Sequence, residues 1–194
     1  RSAGLIAIDL GEGDHLVGAA ITDGSNDILL FSSAGKSVRF SESDVRPMGR
    51  GAHGVRGIRL SPGHRVVSLI VPDPALPEVL TISANGYGKR TPIGDFPLHG
   101  RGVQGVIAMQ TSARNGTLVG ALGVSAADEI MLSTDQGTLL RTSVQQISLV
   151  SRNTQGVRLM SVREGETIAG FARIAETESG AESAPGADAP AGDA

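Results

Sequence analysis

A chain of 194 residues with 17 Lys+Arg against 20 Asp+Glu, a net charge of −3 and neither cysteine nor tryptophan has length for one domain or two small ones, and it excludes disulfides, thiolate nucleophiles and cysteine-ligated zinc or iron–sulfur sites. No apolar stretch approaches the roughly 18 residues of a membrane-spanning helix, and the opening at Arg1 does not read as a signal peptide, which with the missing cysteines fits a cytoplasmic protein. The mildly acidic total, taken alone, argues against a nucleic-acid partner.

In chain order, the opening RSAGLIAIDLGEGDHLVGAAI matches only the back half of a unit that recurs later, as GVRGIRLSPGHRVVSLIV from Gly54 and GVRLMSVREGETIAGFARI from Gly156. DILLFSSAGKSVRF then begins at Asp27, EVLTISANGYGKRT at Glu78 and EIMLSTDQGTLLRT at Glu129, an offset of 51 residues each time. The spacing predicts a partial unit over residues 1–24 and full repeats over 25–75, 76–126 and 127–175. Within each repeat, apolar and β-branched runs such as ILLF and VVSLIV, bounded by turn signals, predict antiparallel strands. Ala34-Gly35, Asn85-Gly86 and Gln136-Gly137 fall between the first two runs, where a tight hairpin needs positive φ. The stretch SESDVRPM is at most one turn of helix, because Pro47 interrupts it. About four strands per repeat predict an all-β, propeller-like ring of four-stranded blades, with about three and a half blades in this chain. Blades bury their faces against one another, so Val, Ile, Leu and Ala can build the core with only 3% aromatic residues.

The last segment, ETESGAESAPGADAPAGDA over 176–194, holds five acids, no base and no aromatic. Such a composition cannot offset its ordering entropy, and it predicts a disordered acidic tail, which either competes with a nucleic acid for basic surface or is only a solvating terminus. Without it, residues 1–175 hold 17 basic and 15 acidic groups, a net of +2. The acidic total therefore averages two unlike segments and no longer excludes a nucleic acid.

Most motifs that could carry chemistry dissolve into the repeat. GRGAHG at Gly49 and GRGVQG at Gly100 both spell G-x-G-x-x-G, but β-type sequence follows each, and the third copy, SRNTQG, loses two of the three glycines. A dinucleotide site needs a helix there, so these are read as inter-strand turns whose N–H groups and arginine could still meet a phosphate. The four histidines, His15, His53, His64 and His99, show no metal-binding spacing. Tyr87, the single tyrosine, lies in NGYGKR at the tip of a predicted hairpin and reads as an exposed turn residue. No active site is expected in this chain.

Two sets of arginines keep the 51-residue register: Arg39, Arg90 and Arg141 after the hairpin turns, and Arg50, Arg101 and Arg152 in the glycine-rich turns. Each set has two readings. The arginines could be structural, pairing in every blade with an acid on a neighbouring strand. Alternatively the repeat could place them on one rim as a curved basic stripe, suited to a bent duplex held through its phosphates. The stripe is preferred for the hairpin set with its neighbours Lys36 and Lys89; for the turn set the two readings balance.

ILLFSSAGKSVRFSESDVRPMGRGAHGVRGIRL, ISANGYGKRT and SRNTQGVRL closely resemble the C-terminal domain of the DNA gyrase A protein, part of the bacterial type IIA topoisomerase. The resemblance runs from Arg1 to about Ala175 and implies a β-pinwheel of about six blades, of which those before Arg1 are not in this sequence. It implies a basic rim that wraps double-stranded DNA so that the ATP-dependent enzyme introduces negative supercoils. Lys36, Arg39, Lys89, Arg90 and Arg141 match the family's hairpin positions, and Arg46, Arg50, Arg101 and Arg152 its inter-strand segments. The resemblance further implies a heterotetramer with the gyrase B protein and the N-terminal part of the gyrase A protein. In that assembly ATP, Mg²⁺ and the catalytic tyrosine lie on other domains, and this chain needs no cofactor or metal. The family's QRRGGKG box is absent from this sequence. The corresponding domain of topoisomerase IV shares the blades and stays open as an alternative, as does a blade-type protein-interaction scaffold.

Overall fold

A computed structural model of the chain describes residues 4–174; the acidic segment 176–194 lies outside them. The first repeat supplies β1 (Asp27–Ser32), β2 (Lys36–Ser41) and β3 (Val66–Ile70). The second supplies β4 (Glu78–Ser83), β5 (Tyr87–Pro92), β6 (Val106–Ile107) and β7 (Leu118–Val124), and the third β8 (Glu129–Thr134), β9 (Leu139–Ser143), β10 (Val157–Arg158) and β11 (Ile168–Ile174). A single 3₁₀ turn follows each hairpin, at Glu42–Asp44, Ile93–Asp95 and Val144–Gln146. Among the described residues no helix is long and apolar enough to cross a membrane.

The hairpins β1–β2, β4–β5 and β8–β9 form where the glycine turns predict them. Gly86 shows why that residue is needed: its φ is +78°, and a Cβ there would stand 2.1 Å from the Met160 carbonyl oxygen. The space is filled because the next repeat docks on the turn. The Gly86 carbonyl accepts from Leu159 and Met160 N–H at 2.8 and 3.1 Å, as the Gly35 carbonyl accepts from Ala108 and Met109 at the same distances.

That docking decides the topology. The sheets run β3-β1-β2-β6, then β10-β5-β4-β7, then β11-β8-β9. The outermost strand of the first sheet belongs in sequence to the second repeat, and that of the second sheet to the third. Strand exchange between neighbouring blades is the β-pinwheel arrangement, and it offsets the sheets from the sequence repeats. The third sheet has three strands among the described residues, because no fourth strand pairs with β9.

Residues 4–24, expected as a partial blade, form no strand. Their glycine turns are nevertheless kept: Gly4 and Gly13 have φ of +65° and +80°, beside +76° and +77° at Gly156 and Gly165. The segment corresponding to β10 pairs with a preceding hairpin, and the described residues contain none for it. Leu5 and Ile6, which occupy that segment, consequently stand exposed.

The cores lie between blades. Alternate residues of a strand face opposite sides, so Val79 of β4 joins a cluster with Leu29, Phe31 and Phe96, while Leu80 and Ile82 join one with Ile130, Leu132 and Ile147. Every residue of β4 from Val79 to Ser83 is buried, whereas β8 alternates buried and half-buried positions, as a blade covered on one face should. Contacts of β3 and β11 with β7 gather these three strands at the axis. The opposite edges of the sheets, with β6, β10 and the turns before them, form the outside.

Candidate nucleic-acid interface

The hairpin arginines are the structural set. Arg39 Nη2 lies 2.7 Å from Asp27, Arg90 Nη1 lies 2.7 Å from Glu78, and Arg141 pairs with Glu129. Each acid opens the first strand of the hairpin and each arginine comes 12 residues later. Two of the arginines also reach into the next repeat: Arg39 Nη1 donates to the Phe96 carbonyl at 3.2 Å and Arg90 Nε to the Ile147 carbonyl at 2.7 Å, both 57 residues on. All three are neutralised by carboxylates, and Arg39 and Arg90 are turned between blades while Arg141 stays exposed, so the set does not make the continuous, unpaired basic stripe preferred on sequence grounds. The in-register acids Asp27, Glu78 and Glu129 were the signal for this outcome.

Lys89 departs furthest from expectation. It is fully buried, and its ammonium group donates to the carbonyl oxygens of Ser151, at 2.8 Å, and Arg152. Burial pushes its pKa from 10.5 down to about 8, and the neighbouring Arg152 charge acts the same way. Its repeat equivalents are Val38 and Leu140, so the position is an inward one. Here the lysine supports the turn SRNTQG, the copy that lost two of its three glycines. Lys89 and Arg90 are thus withdrawn from solvent, and neither presents a charge to a phosphate. Lys36 is half-buried at the start of β2.

The turn arginines differ in a way that matters for charge. Arg101 donates from Nε to the Asp44 carbonyl at 2.9 Å and from Nη1 to the Arg56 carbonyl at 3.2 Å. Arg152 repeats the arrangement on the carbonyls of Asp95, at 3.0 Å, and Ile107, at 3.1 Å. The acceptors lie 57 and 45 residues back in both cases. Carbonyls fix the guanidinium without cancelling its charge, and Nη2 of each remains without a protein partner among the described residues. Both arginines sit at junctions between blades on the outer edge, in turns that precede β6 and β10. Arg46 and Arg50 are exposed in the corresponding segment of the first repeat, with no acid partner among the described residues.

Tyr87 is buried, not exposed, with 3% of its surface accessible. Its hydroxyl accepts from Arg114 Nε at 3.3 Å and from Arg158 Nη2 at 2.9 Å. These hydrogen bonds, that from Arg114 first, hold the phenol below its usual pKa range. Neither arginine was evident in the sequence. Arg114 lies in a loop two residues longer than its repeat equivalents, as the spacing of Gly105 to Gly116 against Gly54 to Gly63 shows, so no register marks it. No group of three His, Cys, Asp or Glu that could hold a metal occurs among the described residues.

The chain is similar to known proteins along nearly its whole length. A family model described as the DNA gyrase C-terminal domain, beta-propeller, matches residues 1–23, 26–73, 77–125 and 128–175. The DNA gyrase A protein of Pseudomonas aeruginosa is 53% identical over 180 residues, which cover 93% of this chain and 19% of that protein. The chain therefore spans about a fifth of the length of the curated relatives it matches. Among solved structures, a DNA gyrase A C-terminal domain superposes with a TM-score of 0.80 at 27% identity, over 90% of this chain and 59% of that one. The C-terminal domain of DNA topoisomerase IV superposes with a TM-score of 0.81 at 24% identity, over 87% of this chain and 52% of that one; this second likeness speaks to the fold.

Proposed function

The chain belongs to the DNA gyrase C-terminal domain family, and we propose that it binds duplex DNA along the outer edge of its blades and bends the duplex there. It serves as the wrapping module of an ATP-dependent type II topoisomerase that introduces negative supercoils. In this reading the chain has no reaction of its own and needs no cofactor. The cleaving tyrosine, ATP and Mg²⁺ belong to other domains, with the gyrase B protein and the N-terminal part of the gyrase A protein as partners in the cytoplasm.

The observation that carries the reading is the pair of carbonyl-held arginines. A duplex is bound chiefly through its phosphates, by cations that need position more than sequence readout. Arg101 and Arg152 keep a full charge, are fixed by two backbone acceptors each, and recur at successive blade junctions. Smooth bending of a short duplex costs on the order of 1–6 kcal/mol, which further phosphate contacts along the curve offset. Arg46 and Arg50 extend the same edge. The basic groups proposed to meet phosphate are thus Arg46, Arg50, Arg101 and Arg152, while Arg39 and Arg90 tie neighbouring blades together.

The experiment is a salt series. If about five phosphates are neutralised, log K against log salt falls with a slope of about −4 to −5. Arg101→Ala with Arg152→Ala should make that slope shallower by about 2, at about 0.9 per phosphate. A chain that fails to retain duplex even at about 50 mM salt, where phosphate contacts are strongest, does not have this function.

A further inference from the structure

Tyr87 occurs in one hairpin only; its counterparts are Lys36 and Thr138. Around it the structure gathers groups from two repeats. Arg114 arrives from the long loop after β6, Arg158 from β10, and both guanidinium groups lie against the phenol ring, 5.1 and 5.4 Å from its centroid. Arginine can only donate, so both hydrogen bonds to the hydroxyl use oxygen lone pairs. The hydroxyl's own hydrogen has no acceptor among the described residues.

The charge around this tyrosine is also unbalanced. Arg39, Arg90 and Arg141 each pair with a carboxylate, but Arg114 and Arg158 pair with none among the described residues. They converge on one oxygen, at the wall of a cavity of about 520 Å³ that Arg163 also lines. Of the two carboxylates at its wall, Glu166 is buried and already accepts from the Thr134 and Thr138 hydroxyls and from Arg163 N–H at 2.5, 2.8 and 2.8 Å. Glu164 is exposed. Two fixed, unpaired guanidinium groups and one O–H with nothing to donate to form the donor set of an anion receptor, and a tetrahedral oxyanion can accept from all three.

We propose that Tyr87, Arg114 and Arg158 form a clamp for one backbone phosphate of the bound duplex. Arg158 lies six residues beyond Arg152 on the same outer edge, so the clamp continues the path of the turn arginines; it rests on the DNA-binding reading given above. It departs from the repeat, and it anchors the duplex at a single blade junction where the turn arginines act at each.

The chain carries its own reporter, since Tyr87 is the sole tyrosine and there is no tryptophan. With ¹³C-labelled tyrosine, the full chain gives one set of ring resonances, followed as a duplex of about 40 base pairs is added at low salt. Those resonances should shift with the binding curve. In Arg114→Gln with Arg158→Gln, affinity should fall about tenfold and the salt slope become shallower by about 1 to 2. Where the double variant loses the circular-dichroism signature of the fold, Tyr87→Phe decides. It keeps the ring, removes the donor, and should weaken binding severalfold. Duplex binding with unmoved tyrosine resonances, or with unchanged affinity and slope in the variants, would overturn the clamp while leaving the DNA-binding reading in place. Absence of duplex binding by the unmodified chain would overturn both, even if inorganic phosphate moved the resonances.

Discussion

Arg39, Arg90 and Arg141 share one repeat position and one kind of partner, yet their side chains are 22%, 10% and 59% exposed. The difference follows from what lies beyond each. Arg90 is covered by the third repeat, and its guanidinium also donates to the Ile147 and Gln145 carbonyls. No such cover reaches Arg141 among the described residues. Removing one member of a buried pair strands its partner, whereas an exposed pair is screened by water. Arg90→Ala should therefore cost about 3 kcal/mol, Arg141→Ala no more than about 0.5 kcal/mol, and Arg39→Ala an intermediate amount, read by urea unfolding. Exchanging all three for Glu should cost the fold, not merely an affinity. Lys89 gives a second test. Its pKa is lowered from 10.5 to about 8, so between those values the unfolded chain holds a proton that the folded chain does not, and this group's contribution to stability rises as pH climbs through the window. The urea midpoint of the unmodified chain should gain on that of Lys89→Met between about pH 7.5 and about pH 9.5. Equal pH dependence in the two proteins would contradict the buried charge.

At the scale of strands and turns, equivalent glycines should differ for the same reason as equivalent arginines. Gly86 and Gly137 both have positive φ, at +78° and +85°, but a Cβ at Gly86 would collide with Met160 and one at Gly137 would meet nothing within 4 Å. Gly137→Ala should cost about 1–2 kcal/mol of backbone strain alone. Gly86→Ala should cost clearly more in the same unfolding measurement, because the docked strand β10 must shift. The hairpins, their turns and the 51-residue period were legible in the sequence, since local alternation and glycine chemistry specify them. The strand exchange was not, because β6 and β10 are two-residue strands that owe their pairing to a neighbouring repeat. The site was legible in part. The turn arginines could be found by register, but their carbonyl anchors lie 45 and 57 residues away. The pairing of the hairpin arginines was encoded in the in-register acids Asp27, Glu78 and Glu129, each 12 residues before its arginine. Arg114 and Arg158 meet at Tyr87 only through tertiary packing.

Across the whole molecule, the blades sort charge by position. The hairpin arginines are neutralised by Asp27, Glu78 and Glu129, whether covered like Arg90 or exposed like Arg141, while Arg101 and Arg152 at the outer junctions are held by carbonyls and stay positive. A chain with a net charge of −3 can in this way present a cationic edge, provided its cations are fixed where a curved polyanion passes. Whether a duplex follows that edge as a bend is read by end-to-end energy transfer in a doubly labelled duplex of about 40 base pairs, well under one persistence length. Binding of the full chain at low salt should raise the transfer efficiency, and the rise should disappear together with binding in Arg101→Ala/Arg152→Ala. A duplex that binds with its transfer efficiency unchanged would be lying straight, and this edge would then not bend DNA.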